Sequence, residues 1–583
     1  MLAVLLLVLA AGAEVVNGGF DQALEGWAFV GAGATAEAVE LEGRTAAHLI
    51  VPSETPVGWP HLQQDFPATP GMAYEAVADA MQRGITDGQG AYVSVEFHGS
   101  SGKRISYGQS DFAGVEGRWA HLTAYGIAPE GCTTVRLGLI LYGHGEAWFD
   151  SVTMTAAPGM DATPPQLNGP VTISVTREVV CEQFKGFGAE DDGWFYNPEN
   201  ASHGVDDADA ALREKRTEWM SPDYVRMFCW YKEWNPSSDW ETFTFDSDHM
   251  LSRYRTLDVY QRLGTTINLT GVEWGVEAPY AEPEKLAKAL GALFEQLIKV
   301  KGYTCVREWT LTNEPNTNWT QRGGTFDKFV KIHQLVKAEF SARGLDVKVV
   351  GSDDTAGETW FRQCVEDPAY FETADVFASH RYFPFADRGL ATRFYDERLG
   401  LLRGKTPAKP FVVGEFGFQD ARSGVVDNPL MEEYRYAIWT AAFAIEGLNA
   451  GVAGFSIWSI HEMYYPTNTM MNYALWNYKD RGWALRPVFY TWANFCRLTK
   501  SGDKVYRCTS SHPKNVSAAK VGGVLFWVNC GEGQAQVQLD GMQAREVHVW
   551  TEGPCGGVTE TGSVLGEPAS TFRVPGMSFG FCR

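Results

Sequence analysis

Trp309-Thr310-Leu311-Thr312-Asn313-Glu314-Pro315-Asn316 is the stretch on which the fold turns. An apolar run carrying Trp309 and Leu311 stops at an amide, a carboxylic acid and a proline. Proline offers no N–H to a strand ladder and restricts the residue before it, so a strand cannot run on through Pro315. Glu314 is therefore expected where a strand gives way to a loop. In a barrel of parallel strands, that end is where active sites are built. Phe411-Val412-Val413-Gly414-Glu415-Phe416-Gly417 repeats the pattern, a short apolar run delivering a second glutamate.

Further apolar runs recur at Phe184–Gly188, Tyr224–Phe228, Thr266–Leu269, Val347–Val350, Val376–Ala378 and Val452–Trp458. Helical periodicity lies between them, as in Leu286, Ala289, Leu290, Leu293 and Leu297 after the helix-start signal Glu282-Pro283-Glu284. Eight strands alternating with helices over residues 184–498 predict a (β/α)8 TIM barrel with inserted loops. A doubly wound open sheet is the rival, but no glycine-rich phosphate loop follows the first strand. In this count Glu314 ends the fourth strand and Glu415 the seventh.

The flanks read as all-β, so the fold class is multidomain, α/β and all-β together. Residues 14–157 carry short alternating runs such as Tyr92–Phe97 and Val135–Ile140 between Gly, Pro and Ser clusters, which predicts a β-sandwich. Residues 158–170, with Pro158-Gly159 and Thr163-Pro164-Pro165, read as a linker. The lone strand pattern of 171–183 is expected to join 499–583, where Val524–Val528 and Val547–Trp550 are strand-like, in a C-terminal β-sandwich side domain. Residues 1–13, MLAVLLLVLAAGA, read as a short signal peptide ending in an A-x-A-like site, although the basic n-region is missing. The expectation is a secreted or periplasmic protein without a membrane span.

A chain of 583 residues exceeds one ordinary domain, and 45% hydrophobic with 13% aromatic content suits large cores and open grooves. A net charge of −22 argues against nucleic acid, which needs a basic face. It suits a neutral partner, a carbohydrate polymer or oligosaccharide, bound by a monomer. Of the ten cysteines, Cys508, Cys530, Cys555 and Cys582 crowd the C-terminal region. Disulfides and buried free thiols are equally open readings there. The acidic run Glu190-Asp191-Asp192 lacks the spacing of a calcium loop, so no metal is expected.

Two carboxyl groups at two strand ends are what cleavage of a glycosidic bond requires. In a retaining reaction a neutral acid protonates the leaving oxygen while an ionised carboxylate, roughly 5–5.5 Å away, attacks the anomeric carbon. Each glutamate alone would as readily be a structural ion-pair partner. The pair favours chemistry, and that chemistry needs no cofactor.

With those residues in place, the barrel resembles the clan A retaining glycoside hydrolases. These carry an acid/base Glu preceded by Asn after strand four and a nucleophile Glu after strand seven. The resemblance implies Glu314 as acid/base, Asn313 as partner of the sugar 2-hydroxyl, and Glu415 as nucleophile. It implies that Arg226 holds the nucleophile ionised through a forked hydrogen bond and that Tyr382 orients it. His380 would touch sugar hydroxyls, and Trp458 would form the stacking floor. Gly186-Phe187-Gly188, with its preceding lone strand, is similar to families 30, 39 and 5 of that clan. Asp191, Asp192 and Trp194 would then grip the non-reducing sugar, with Trp274 as a further wall. The N-terminal segment opens Asn17-Gly18-Gly19-Phe20…Gly26-Trp27 and closes Trp148-Phe149-Asp150-Ser151-Val152. It resembles galactose-binding-like jelly-roll carbohydrate-binding modules, on which Trp59, Trp119 and Tyr142 would stack on sugar rings or simply pack.

The expectation is an exported retaining β-glycoside hydrolase. Trp194, Trp230, Tyr231, Trp234, Trp274, Trp319, Tyr464, Tyr465 and Trp476 would line an extended groove for endo action on a β-linked polysaccharide. An exo-acting glycosidase, a transglycosylase and a non-catalytic carbohydrate-binding protein are the alternatives.

Overall fold

The computed structural model describes residues 14–583 apart from 115, 161, 320, 321, 323, 555 and 556. The expected signal peptide and Cys555 lie outside the described residues. The chain forms two compact units. One comprises residues 1–161, 314–331 and 354–367, and the other residues 162–313, 332–353 and 368–583.

In the second unit an eight-stranded parallel sheet curls into a barrel. Its strands are β1 (Gly186–Ala189), β2 (Tyr224–Trp230), β3 (Thr266–Val272), β4 (Val306–Thr310), β5 (Lys348–Thr355), β6 (Val376–Pro384), β7 (Phe411–Gln419) and β8 (Gly454–Ile457). The last two residues of β5 fall in the first unit. The ladder runs from β2 round to β8 and on to β1, and an isolated bridge between Glu190 and Arg226 closes the ring. Gly188 makes that closure possible, because a Cβ there would lie 1.5 Å from the carbonyl oxygen of Tyr224 on β2. The strands are buried almost throughout, as expected for a parallel sheet covered by helices.

Strand bounds differ from the sequence expectation where they matter most. β4 ends at Thr310, so Glu314 lies beyond the strand, and Glu415 sits inside β7 rather than at its end. His380 and Tyr382 likewise lie within β6. In β6 and β7 the ladder runs on past the apolar run into residues that still pair, from His380 with Glu415 to Pro384 with Gln419, whereas β4 stops before its polar residues.

A nine-stranded sheet accompanies the barrel in the same unit. Within it, Val171–Cys181 runs antiparallel to Val505–Ser510 and parallel to Ala535–Asp540. Phe495, on helix Pro487–Leu498, joins sheet to barrel: its ring centroid lies 4.7 Å from that of Phe187 on β1 and 4.6 Å from that of Phe526 on the side sheet. These tilted ring contacts and the apolar burial they bring fix the side sheet against the helical shell.

The N-terminal segment of the first unit, expected as a β-sandwich, forms an eight-stranded sheet whose two long strands, Met72–Gly99 and Cys132–Pro158, pair antiparallel along their length. Leu49, Val93, Leu122, Leu139 and Phe149 share its core with Phe20 and Trp27. The Asn17…Trp27 motif is a local lock: the Asn17 amide donates to the Ala23 carbonyl at 2.8 Å, and the Trp27 indole donates to the Asn17 carbonyl at 3.2 Å. Trp59, 61% exposed, stacks on Tyr142 at 5.3 Å, whereas Trp119 is a platform for the Arg44 guanidinium. The nine described cysteines are all free thiols. No helix among the described residues is long and apolar enough to cross a membrane.

Candidate active site

Arg226, buried in β2, gathers side chains from four parts of the barrel: Glu190 after β1, Asn313 beyond β4, Asp353 in β5 and Glu415 in β7. Its Nη1 donates to Glu415 Oε1 at 2.6 Å and to Glu190 Oε2 at 3.0 Å. Its Nη2 donates to Asn313 Oδ1 and to Asp353 Oδ2, both at 2.7 Å. The expected fork onto a single carboxylate is thus replaced by a guanidinium shared among three carboxylates and an amide. The planar guanidinium carries five N–H donors in fixed directions, which suits it to this arrangement.

Glu415 is 4% exposed and held from both sides, since Tyr382 donates its hydroxyl to Oε2 at 3.0 Å. The strand register places it. Ser379 pairs with Val413 but His380 pairs with Glu415, so Gly414 is an extra residue in β7. A Cβ at Gly414 would lie 3.0 Å from His380 Nε2 and 3.4 Å from Asp353 Oδ1. Glycine before the glutamate therefore leaves room for the His380–Asp353 pair.

His380 is wholly buried, with Nε2 at 3.1 Å from Asp353 Oδ1 and Nδ1 at 3.7 Å from Glu415 Oε1. Burial opposes its charge, but Asp353 and then Glu415 outweigh that and raise its pKa to about 10. The imidazole thus lies between two carboxylates that favour its charged form. Asp353 is correspondingly low: burial would raise it, but Arg226 and His380 prevail. Glu190 stands well above the carboxylate range, chiefly through burial, with Asp192 and Glu415 adding to it against Arg226.

Asn313 is half-buried, and accepting from Arg226 through Oδ1 fixes the orientation of its amide. Glu314 follows it by one peptide bond as the half-buried first residue of the 314–331 segment. Its backbone is left-handed, at φ 45° and ψ 61°, where it caps the short helix Pro315–Asn318. A non-glycine residue held there stores of order 1–3 kcal/mol of strain, a feature that gathers at functional sites.

Other expected residues are placed differently. Asp191 is fully buried and engaged by Arg213 and by Tyr260, whose hydroxyl lies at 2.6 Å. Although burial opposes it, Arg213 and His461 hold its carboxyl below the usual range. Asp192, also fully buried, accepts from the Phe228 backbone N–H at 3.2 Å. Trp194 is buried, with its indole donating to Glu233. Of the aromatics expected along a groove, Trp194, Tyr231, Trp234, Trp319, Tyr465 and Trp476 are core residues. Trp230, Trp274 and Tyr464 keep partial exposure. The Trp230 indole donates to the Trp274 carbonyl at 2.6 Å, and Phe228 packs against both Trp274 and Trp458 at 5.8 and 5.4 Å. Trp458, just beyond β8, is 7% exposed. Glu190 and Asp353 were not anticipated, although Ser352-Asp353-Asp354 in β5 carries the same strand-borne acid signal as Glu415.

No family model matches the chain, and no curated protein matches it in sequence. Solved structures do resemble it. The catalytic domain of GH30 xylanase C from Talaromyces cellulolyticus aligns with a TM-score of 0.53 at 12% identity, covering 70% of this chain and 99% of that one. The endo-β1,6-glucanase BT3312 aligns with a TM-score of 0.52 at 13% identity, covering 84% of this chain and 98% of that one. SrfJ from Salmonella typhimurium gives 0.50 at 14% identity, over 74% of this chain and 96% of that one. At such identities the likeness is one of fold, the (β/α)8 barrel shared with solved glycoside hydrolases.

Proposed function

We propose that the protein is an exported retaining β-glycoside hydrolase that cleaves within a β-linked polysaccharide, with Glu415 as nucleophile and Glu314 as acid/base. The observation that carries this reading is the double use of Arg226. One nitrogen bonds Glu415, and the other bonds Asn313, the residue to which Glu314 is joined. A carboxylate bonded to a guanidinium, a tyrosine hydroxyl and a nearby imidazolium is stabilised in the ionised form that a nucleophile needs.

In the first step a Glu415 oxygen bonds to the anomeric carbon as the glycosidic C–O bond breaks, and Glu314 gives its proton to the departing oxygen. In the second, Glu314 takes a proton from water, whose oxygen displaces Glu415 and restores the starting carboxylate. The Asn313 amide N–H is free of Arg226 and would donate to the sugar 2-hydroxyl, a contact that strengthens in the transition state. Trp458 supplies the floor for the reacting sugar, and the half-exposed Trp230 and Trp274 a wall for its neighbours. Both steps run on side chains alone.

The test is azide rescue on aryl β-glycosides. Glu415→Gly with azide should yield the α-glycosyl azide, and Glu314→Gly the β-anomer. Full activity in Glu415→Gln or Glu314→Gln would overturn the assignment. Short oligosaccharides appearing early from a polysaccharide panel would support internal cleavage, and monosaccharide alone would refute it.

A further inference from the structure

We propose that the N-terminal β-sandwich positions the acid/base, with Asp111 and Gln89 as positioning residues for the loop that carries Glu314; this rests on the role assigned to Glu314 above. The interactions all lie within the first unit, which unites the sandwich with residues 314–331 and 354–367.

Asp111 is 6% exposed, and its carboxylate meets several donors outside the sandwich sequence. Oδ1 accepts from the Asn316 amide at 3.2 Å and from the Gly357 backbone N–H at 3.0 Å. Oδ2 accepts from the Thr359 N–H at 3.1 Å. Thr359 opens helix Thr359–Glu366, whose preceding residue Glu358 makes no side-chain cap, so Asp111 supplies the capping charge from a distant part of the chain. Gly357 is matched to this contact, since a Cβ there would lie 2.7 Å from the Asp111 carboxyl carbon.

Asn316 is the next link. Its amide donates to the Thr355 carbonyl at 2.8 Å, and its Oδ1 accepts from the Thr355 N–H at 3.1 Å. That reciprocal clasp ties the segment after β4 to the end of β5, and Asp111 bonds the clasp itself. Gln89, in the long strand Met72–Gly99, donates to the Thr317 carbonyl one residue on. Thr317 in turn donates its hydroxyl to the Glu314 carbonyl at 2.8 Å. Two and three residues beyond Glu314, Asn316 and Thr317 are thus held from the sandwich, while the backbone of Glu314 itself stays left-handed. A strained backbone persists only where its surroundings over-determine it, and Asp111 and Gln89 supply that restraint.

The inference gives the sandwich a part in the reaction that requires no sugar affinity of its own. A general acid misplaced by a fraction of an ångström loses effect on poor leaving groups first, because good ones depart without a proton.

The experiment uses the full chain and four variants: Asp111→Ala, Gln89→Ala, Asn316→Ala and Glu314→Gln. The kcat/KM ratio for 2,4-dinitrophenyl over phenyl β-glycosides is measured for each. Asp111→Ala and Asn316→Ala should raise the ratio by roughly tenfold or more, in the direction of Glu314→Gln, since general acid catalysis contributes about 10²–10⁴-fold. Amide exchange of the 314–319 peptide should quicken in both, and less in Gln89→Ala. If Glu314→Gln raises the ratio but Asp111→Ala and Asn316→Ala lower both substrates equally, the positioning role is overturned while the catalytic reading stands. If Glu314→Gln leaves the ratio unchanged, the catalytic reading itself falls, and the exchange data still decide whether Asp111 holds the segment. Unchanged exchange in Asp111→Ala and Asn316→Ala overturns the restraint outright.

Discussion

Arg226 Nη1 lies 2.6 Å from Glu415 Oε1, inside a barrel where neither side chain has appreciable contact with solvent. A buried pair of this kind costs several kcal/mol per ion to desolvate and persists only when every charge is answered. Here the guanidinium bonds Asp353 as well as Glu415, His380 adds a second cation, and burial pushes Glu190, which Arg226 also bonds, toward its neutral form. Arg226→Lys should therefore fail at both tasks, because an ammonium cannot present two planar nitrogens to four acceptors. We expect kcat/KM to fall by roughly 10²-fold or more, the effect of losing a charge-assisted hydrogen bond of about 1.5–3 kcal/mol together with its neighbours. The urea midpoint should drop in the same variant. Kinetics at wild-type level would mean that the ionisation of Glu415 does not depend on Arg226.

Tyr382→Phe isolates one hydrogen bond. The ring remains and only the hydroxyl at 3.0 Å from Glu415 Oε2 is lost. A bond to a charged acceptor is worth about 1.5–3 kcal/mol, so kcat should fall roughly tenfold or more while the thermal midpoint changes little. A fall in the midpoint with unaltered kcat would make Tyr382 a packing residue instead.

Gly414→Ala tests why Glu415 follows a glycine. The added methyl would meet His380 Nε2 at 3.0 Å, within the buried pair with Asp353. The His380 ring and the Asp353 carboxylate are both buried and bonded to each other, so the strain cannot be relieved by rotating a surface side chain. Overpacking of this sort costs typically about 1–3 kcal/mol. The variant should be destabilised by that order in denaturant titration, with kcat lowered as Glu415 shifts. A neutral result would show that β7 can move outward without cost.

The barrel was legible because its strands are buried on both faces and read as short apolar runs, each separated from the next by a helical period. Glu314, Glu415, Arg226 and Tyr382 stand out in the sequence for a related reason, as polar residues interrupting or closing such runs. What one strand cannot report is which other strand its side chain faces. Glu190 and Asp353 were missed because their partner, Arg226, lies on β2, far from both in the chain. The aromatics misled for the opposite reason. A tryptophan in a loop reads alike whether it faces solvent, as Trp59 does, or fills the core, as Trp234 and Trp476 do. Asp111 carried no signal at all, since its partners Asn316, Gly357 and Thr359 are set only by the folded chain.

His380 gives the site a pH signature whose sign follows from its surroundings. Its ordinary value is 6.5, and in the folded protein Asp353 and Glu415 overcome burial to raise it to about 10. A group raised on folding binds its proton more tightly in the native state, so it stabilises the fold wherever the unfolded chain is also protonated. That contribution is complete below about pH 6.5, declines as pH rises from there, and is gone once the pH has passed about 10. His380→Gln keeps a polar side chain but cannot carry the charge. Its thermal midpoint should trail the wild type most at pH 5–6, and the gap should narrow steadily toward pH 10. Parallel melting curves across that range check this directly. A gap that stayed constant with pH would mean that His380 is neutral in the folded protein, and Asp353 and Glu415 would then share Arg226 as their cation without its help.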